Sequence, residues 1–92
     1  MSFLDFNDIL HARKHLHGII RETPFEKSDV LSDRTDMAVY LKAECLQRTG
    51  SFKLRGAYHN IASLGAQEKT KGIVTSSAGN HAQGVGFAAT RF

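Results

Sequence analysis

Two short runs of β-forming residues, each followed by a helical pattern, limit most strongly the folds open to this chain. Residues 37–43 predict a first strand, and Ile73-Val74-Thr75, within residues 72–76, predict a second. Helical patterns follow over residues 52–64 and, after the segment 77–80, toward Phe92. Strands that alternate with helices are typical of an α/β fold, in which helices flank a parallel sheet. Since two strands make an incomplete sheet, we interpret residues 1–92 as a truncated part of a larger domain.

Residues 5–20 form the first predicted helix. Asp5 is a suitable N-cap, and Asp8 places a negative charge in the first turn, where the helix dipole favours it. The helix should end before Pro24, because the residue before a proline avoids the helical region. Its apolar face is predicted to contain Phe6, Ile9, Leu10, Leu16 and Ile20.

The helix over residues 52–64 has a start and a stop signal. Ser51 is the expected N-cap, and Gly65 is the expected C-terminal stop. The residues predicted to face the core are Leu54, Ala57, Tyr58, Ile61 and Leu64.

Composition excludes several classes of function. The net charge is +3, but the basic residues are scattered along the chain, so nucleic acid is not an expected partner. No apolar run approaches the roughly 20 residues that span a membrane. A single cysteine, Cys45, permits no internal disulfide, which fits an intracellular protein. A mild positive charge suits a small anionic ligand.

The first segment with chemical interest surrounds Lys53. Lys53 and Arg55 both fall in the first turn of the second predicted helix, where the helix dipole disfavours cations. Two cations at an electrostatically unfavourable helix position, within three residues, mark a possible functional site. A lysine held at such a position is a candidate nucleophile toward an aldehyde.

The second such segment, residues 76–84, joins the end of the second strand to a helix. Free backbone N–H groups at a helix N-terminus bind anions such as carboxylate or phosphate. Ser77 and Asn80 supply polar side chains at this point, and Gly79 lets a ligand approach the backbone closely. The helix beyond is rich in Gly and Ala, so we expect it to pack close to a sheet.

Together, Gly-Ser-Phe-Lys-Leu-Arg-Gly-Ala (residues 50–57) and Ser-Ala-Gly-Asn-His-Ala-Gln-Gly (residues 77–84) resemble the N-terminal part of the threonine dehydratase (threonine ammonia-lyase) family. These are pyridoxal-phosphate enzymes of the tryptophan synthase β type. Residues 21–24, 40–44 and 46–49 also resemble that family. The resemblance implies that residues 1–92 are the N-terminal part of the catalytic domain, whose remainder is absent.

The resemblance also implies roles for individual residues. Lys53 matches the lysine that forms a Schiff base with pyridoxal 5'-phosphate and later removes the α-proton, and Phe52 matches the neighbour that packs by the cofactor. Asn80 matches the residue that hydrogen-bonds the phenolic oxygen of the cofactor. Ser77, Asn80 and His81 match the loop that binds the substrate carboxylate. The implied reaction converts L-threonine to 2-oxobutanoate and ammonia, or L-serine to pyruvate, in a cytoplasmic homo-oligomer.

Related activities differ from this chain at two positions of the second segment. Serine racemases carry a serine before the Gly-Asn pair, where this chain has Ala78, which transfers no proton. Animal-type serine dehydratases carry alanine after the asparagine, where this chain has His81. Elimination is therefore favoured. A serine racemase or serine dehydratase relative, and a non-catalytic truncated product, stay as alternatives.

Two other kinds of site have weaker support. Residues 84–89 fit G-x-G-x-x-A, but they fall inside a predicted helix, whereas a dinucleotide-binding fingerprint begins directly after a strand. His11 and His15 are four residues apart but lack a third ligand, so no metal is expected. The glycine-rich phosphate loop of the family, and the group that contacts the pyridine nitrogen, are not found in these residues.

Overall fold

A computed structural model describes residues 3–92 of the chain. Its elements, in order, are α1 (Phe6–Leu16), β1 (Phe25–Lys27), α2 (Asp29–Thr35), β2 (Tyr40–Lys42), a 3-10 turn (Glu44–Leu46), α3 (Lys53–Ala62), α4 (Ala66–Thr70) and α5 (Asn80–Ala89). In this part of the chain, no helix is long and apolar enough to cross a membrane.

The start of α1 confirms the predicted cap. The Asp8 N–H donates to the Asp5 carboxylate at 3.0 Å, and the Asp5 N–H donates to the Asp8 carboxylate at 2.8 Å. This reciprocal pair satisfies two backbone donors that a helix start otherwise leaves unpaired. The helix ends at Leu16, four residues earlier than predicted.

The predicted apolar face of α1 is only partly buried. Leu16 belongs to the core, and Ile20, beyond the helix end, packs against it. The prediction was wrong for the first two turns, where Phe6, Ile9 and Leu10 are exposed. Periodicity identifies an apolar face, but burial also requires a neighbouring element to cover it.

The sheet differs from the predicted parallel arrangement. β2 lies inside the predicted first strand, but it pairs antiparallel with β1, so that Phe25 faces Lys42 and Lys27 faces Tyr40. Residues 72–76, the predicted second strand, are not in a strand, and the Val74 side chain is 97% exposed. A strand is stabilised by hydrogen bonds to a neighbouring strand. The described part of the chain places none beside these residues.

The prediction for α3 is largely confirmed. Four of its five predicted core residues, Leu54, Ala57, Tyr58 and Ile61, are buried. Phe52 rather than Ser51 is the N-cap, although the Ser51 hydroxyl accepts a hydrogen bond from the Lys53 N–H at 3.4 Å. Gly65 caps the start of α4 instead of ending α3 directly.

The core is small and lies where α3 packs against α5 and α1. Its buried apolar residues, among those described, are Leu16, Leu54, Ala57, Tyr58, Ile61 and Ala88. The Gly/Ala-rich helix, α5, thus packs against a helix and not against a sheet, which corrects the expectation. The radius of gyration, 15.9 Å, exceeds the roughly 12 Å typical of a compact domain of this length.

Candidate active site

Lys53 is the first residue of α3 and is exposed to solvent. Its Nζ makes no hydrogen bond or ion pair with any residue in the described range 3–92. The Lys53 Nζ lies 5.2 Å from the centroid of the neighbouring Phe52 ring. The Phe52 ring is itself 59% exposed. The amine and the ring together are therefore accessible to a ligand.

Arg55, the second cation in this turn, has a structural partner. Its Nε and Nη2 donate to the two carboxylate oxygens of Glu44 at 3.0 and 2.7 Å. These hydrogen bonds hold the pKa of Glu44 at about 2, well below its usual value of 4.5. The unusual position of Arg55 therefore has a local electrostatic explanation, whereas that of Lys53 has none among the described residues.

The loop before α3 is held by a polar network around Glu44. Thr23 and Gln47 are buried, and the Thr23 hydroxyl donates to the Glu44 carboxylate at 2.7 Å. The Gln47 side chain exchanges two hydrogen bonds with the Arg21 backbone, at 2.9 and 3.0 Å. Lys42 Nζ donates to the Thr23 carbonyl at 2.7 Å. The network therefore joins residues 21–24, 40–44 and 46–49 to the first turn of α3.

The second predicted segment leads into the N-terminus of α5. Asn80 is the first residue of this helix, and Ser77, Asn80 and His81 are exposed. The Ser77 hydroxyl accepts a hydrogen bond from the Gly79 N–H at 3.2 Å, which keeps the loop folded. No side chain caps α5, so the backbone N–H groups of its first turn have no side-chain acceptor. Such a terminus suits a carboxylate.

The two segments meet through the packing of α5 on α3. Gly84 lies so close to the start of α3 that a Cβ atom built there would be 3.1 Å from the Leu54 nitrogen and 3.2 Å from the Lys53 carbonyl. Asn80 precedes Gly84 by four residues and is on the same side of α5, one turn of about 5.4 Å away. The structure thus places the helix start with Lys53 beside the helix that begins at Asn80.

A cavity of about 340 Å³ lies between α3, α5 and residues 73–75. Of the predicted site residues, only His81 lines it, together with Asn60 and Val85 among others. Lys53, Ser77 and Asn80 lie outside it. The predicted residues therefore lie at or just before the starts of two packed helices, and no single cavity encloses them.

Three histidines approach one another on the other side of α3. His11 and His15 have ring centroids 4.6 Å apart, and His15 and His59 share a hydrogen bond of 3.0 Å between their Nδ1 atoms. No pattern in the sequence predicted that His59 would join the other two. Within residues 3–92, no group of three or more His, Cys, Asp or Glu residues is arranged to hold a metal ion.

Comparison with known proteins shows the family. The pattern of the pyridoxal-phosphate dependent enzyme family matches residues 16–92. The L-threonine ammonia-lyase of Thermotoga maritima is 48% identical over 89 residues, which cover 97% of this chain and 22% of that protein. The chain therefore spans about a fifth of the length of this relative.

Solved structures share the fold. Serine racemase from Dictyostelium discoideum aligns with a TM-score of 0.87 and 38% identity, over 98% of this chain and 29% of its own. The processed form of threonine deaminase isoform 2 from Solanum lycopersicum aligns with a TM-score of 0.71 and 39% identity, over 98% of this chain and 26% of its own. The α/β fold class of the family is thereby confirmed. The chain belongs to the pyridoxal-phosphate dependent enzyme family.

Proposed function

We propose that residues 1–92 are the N-terminal part of a longer catalytic domain that dehydrates and deaminates L-threonine, and also L-serine. The observation that carries the proposal is the position of Lys53. Its exposed amine has no ionic or hydrogen-bonding partner among the described residues, and it begins the helix that packs on α5, the helix that starts at Asn80. The products are 2-oxobutanoate or pyruvate, with ammonia.

The side chains around Lys53 fit pyridoxal 5'-phosphate in their chemistry. A primary amine is needed to attach the aldehyde, and Lys53 offers one without breaking an existing ion pair. The exposed ring of Phe52 offers an apolar surface for an aromatic ring beside that amine. The Asn80 amide offers a donor for a cofactor oxygen. When bound, the cofactor supplies an electron sink for negative charge at the substrate Cα.

The start of α5 is the proposed site for the substrate carboxylate. Its first-turn N–H groups and the positive end of the helix dipole both favour an anion. Ser77 and His81 flank this point with a hydroxyl and an imidazole, and both are exposed. A carboxylate held there orients the amino acid relative to Lys53, which begins the adjoining helix.

Lys53 has a second proposed role as the base that removes the α-proton. With the cofactor bound, the Lys53 Nζ would be the basic group that accepts the proton from the substrate Cα. The helix start on which it is carried is fixed by the polar network around Glu44 and by the contact with Gly84. Positioning of this kind accounts for a large share of catalytic rate.

Borohydride reduction of the complete domain, followed by peptide mapping, tests the assignment of Lys53. We expect the reduced cofactor on Lys53 and a loss of labelling in a Lys53→Ala variant. Lys71→Ala is the matched control, because Lys71 is also exposed and lies away from the site. Labelling of another lysine in the unmodified protein, with none on Lys53, contradicts the proposal.

Racemisation of serine is the second candidate, because the racemase structure also aligns closely with this chain. A racemase requires a second acid on the opposite face of the substrate, and Ala78 has no group that transfers a proton. Keto-acid assay and chiral chromatography, run on the same reaction, distinguish the two. Elimination much faster than formation of D-serine supports the lyase, and comparable rates show that another residue supplies the acid. A homo-oligomeric, cytoplasmic enzyme stays a prediction from the resemblance.

A further inference from the structure

Gly84 differs from the other glycines of the described chain in what surrounds it. A Cβ atom at Gly84 would lie 3.1–3.2 Å from three backbone atoms of Lys53 and Leu54. At Gly56, in α3, and at Gly86, in α5, a Cβ atom would meet nothing within 4 Å. Backbone atoms in a helix cannot rotate away as a flexible side chain can. A methyl group at Gly84 therefore requires the backbone at the start of α3 to shift by a few tenths of an ångström relative to α5.

The contact lies at the part of α3 that carries the proposed chemistry. A Cβ atom at Gly84 would lie 3.2 Å from both atoms of the Lys53 carbonyl, and Lys53 is the first residue of α3. On α5, Asn80 is one helical turn before Gly84 and on the same side. The close approach of α5 to α3 at Gly84 therefore bears on the distance between Lys53, at the start of α3, and the proposed carboxylate site, at the start of α5.

We propose that Gly84 is a positioning residue, which fixes the start of α5 against the backbone of Lys53. This proposal rests on the proposed function. Gly84 has no side chain and takes no part in the chemistry. Its role is to let α5 pack closely on α3, so that the distance between the Lys53 amine and the substrate carboxylate site is fixed. Small displacements of reacting groups cause large losses of rate, so the effect of a single added methyl group should be measurable.

Gly84→Ala in the complete domain is the principal test. We expect cofactor attachment to Lys53 to be retained, as measured by borohydride labelling, while kcat/KM for threonine falls by at least about tenfold. Gly86→Ala is the matched control: it adds the same methyl group two residues along the same helix, where the space is open. It should leave kcat/KM within about threefold of the unmodified protein.

A second variant separates positioning from stability. Ala88 is fully buried on the same side of α5, one turn beyond Gly84 and farther from Lys53. Ala88→Ser also adds one atom to the α3–α5 interface, so it should lower the unfolding temperature of the cofactor-free protein. We expect its kcat/KM to stay within about threefold of the unmodified value, because the start of α3 is undisturbed.

Three results overturn the proposal. The first is Gly84→Ala with the same kcat/KM as Gly86→Ala. The second is a loss of activity in Gly84→Ala that equals its loss of folded protein, measured by circular dichroism. The third is a fall of about tenfold or more in the kcat/KM of folded Ala88→Ser. This third result overturns the proposal even if Gly84→Ala does not fold. Absence of labelling on Lys53 in the unmodified protein is a different failure, since it removes the proposed function.

Discussion

The two carboxylate oxygens of Glu44 accept hydrogen bonds from Nε and Nη2 of Arg55. These bonds tie the 3-10 turn to the first turn of α3. Arg55 lies two residues after Lys53, so this ion pair holds the turn that carries the lysine. The side chains are 32% exposed for Arg55 and 13% exposed for Glu44, so water screens the pair only in part.

Glu44→Gln should destabilise the chain while preserving the shape of the side chain. The substitution removes the charge that Arg55 binds and weakens the hydrogen bond from the Thr23 hydroxyl. We expect the free energy of unfolding, measured by urea denaturation at pH 7, to fall by about 1–2 kcal/mol. Glu26→Gln is the control, because Glu26 lies on an exposed strand and should change the value by less than about 0.5 kcal/mol. Equal effects of the two substitutions contradict the structural role of Glu44.

Lowering the pH should remove the contribution of Glu44 to the free energy of unfolding over a defined pH range. The Arg55 hydrogen bonds lower the pKa of Glu44 from its usual 4.5 to about 2 in the folded chain. The folded state thus binds fewer protons than the unfolded state between these values, so the stabilisation is complete above pH 4.5 and is lost as pH falls toward 2. The free energy of unfolding, measured by urea denaturation from pH 6 down to pH 2.5, should fall less steeply with pH in Glu44→Gln than in the unmodified chain. Identical slopes would show that Glu44 does not titrate in this way.

The sequence predicted those features that depend on local signals. The Asp5 cap, the buried face of α3 and the presence of a helix following the segment 77–80 each follow from local residue types. The position of Lys53 at a helix start followed from the same signals. That Lys53 has no ionic partner among residues 3–92 is a tertiary property, which only the structure shows.

Features that depend on distant residues were not predicted. The strand β1 has no pattern of its own and forms because β2 supplies its hydrogen bonds. The predicted strand at residues 72–76 has the pattern but no neighbouring strand, so it does not form in the described chain. The unusual position of Arg55 was visible in the sequence. Its cause, the ion pair with Glu44 11 residues earlier, was visible only in the structure. The Gly and Ala content of α5 predicted close packing, but it did not predict that Gly84 would lie against the start of α3.

The histidine pair that joins α1 to α3 should make the chain sensitive to pH near neutrality. The Nδ1 atoms of His15 and His59, 3.0 Å apart, share one proton, and a second proton would place two N–H groups face to face. Burial lowers the pKa of His15 below its usual 6.5, and the nearby charges of His11, His59 and Lys69 lower it further. The unfolded state then binds more protons, so stability should decrease as pH falls below 6.5.

Unfolding experiments at pH 7.5 and pH 5.5 test the histidine pair. The free energy of unfolding should decrease at the lower pH, and His15→Gln should reduce that decrease. His17→Gln is the control, since His17 is exposed at the end of α1 and lies outside the cluster. A decrease that persists unchanged in His15→Gln would assign the pH sensitivity to other groups.

Residues 1–92 alone should not catalyse the reaction, even with added pyridoxal phosphate. Lys53, Ser77, Asn80 and His81 are all exposed, so they do not enclose a substrate or exclude water. A cofactor phosphate carries close to two negative charges, and holding it usually takes several backbone N–H groups or a basic cluster. Lys53 can still attach the aldehyde weakly, but without a phosphate anchor the ring is not oriented toward Cα. The test is to follow 2-oxobutanoate formation from threonine, with Lys53→Ala as the control. Turnover within about tenfold of a full-length relative, abolished by Lys53→Ala, would show that this segment already holds and orients the cofactor.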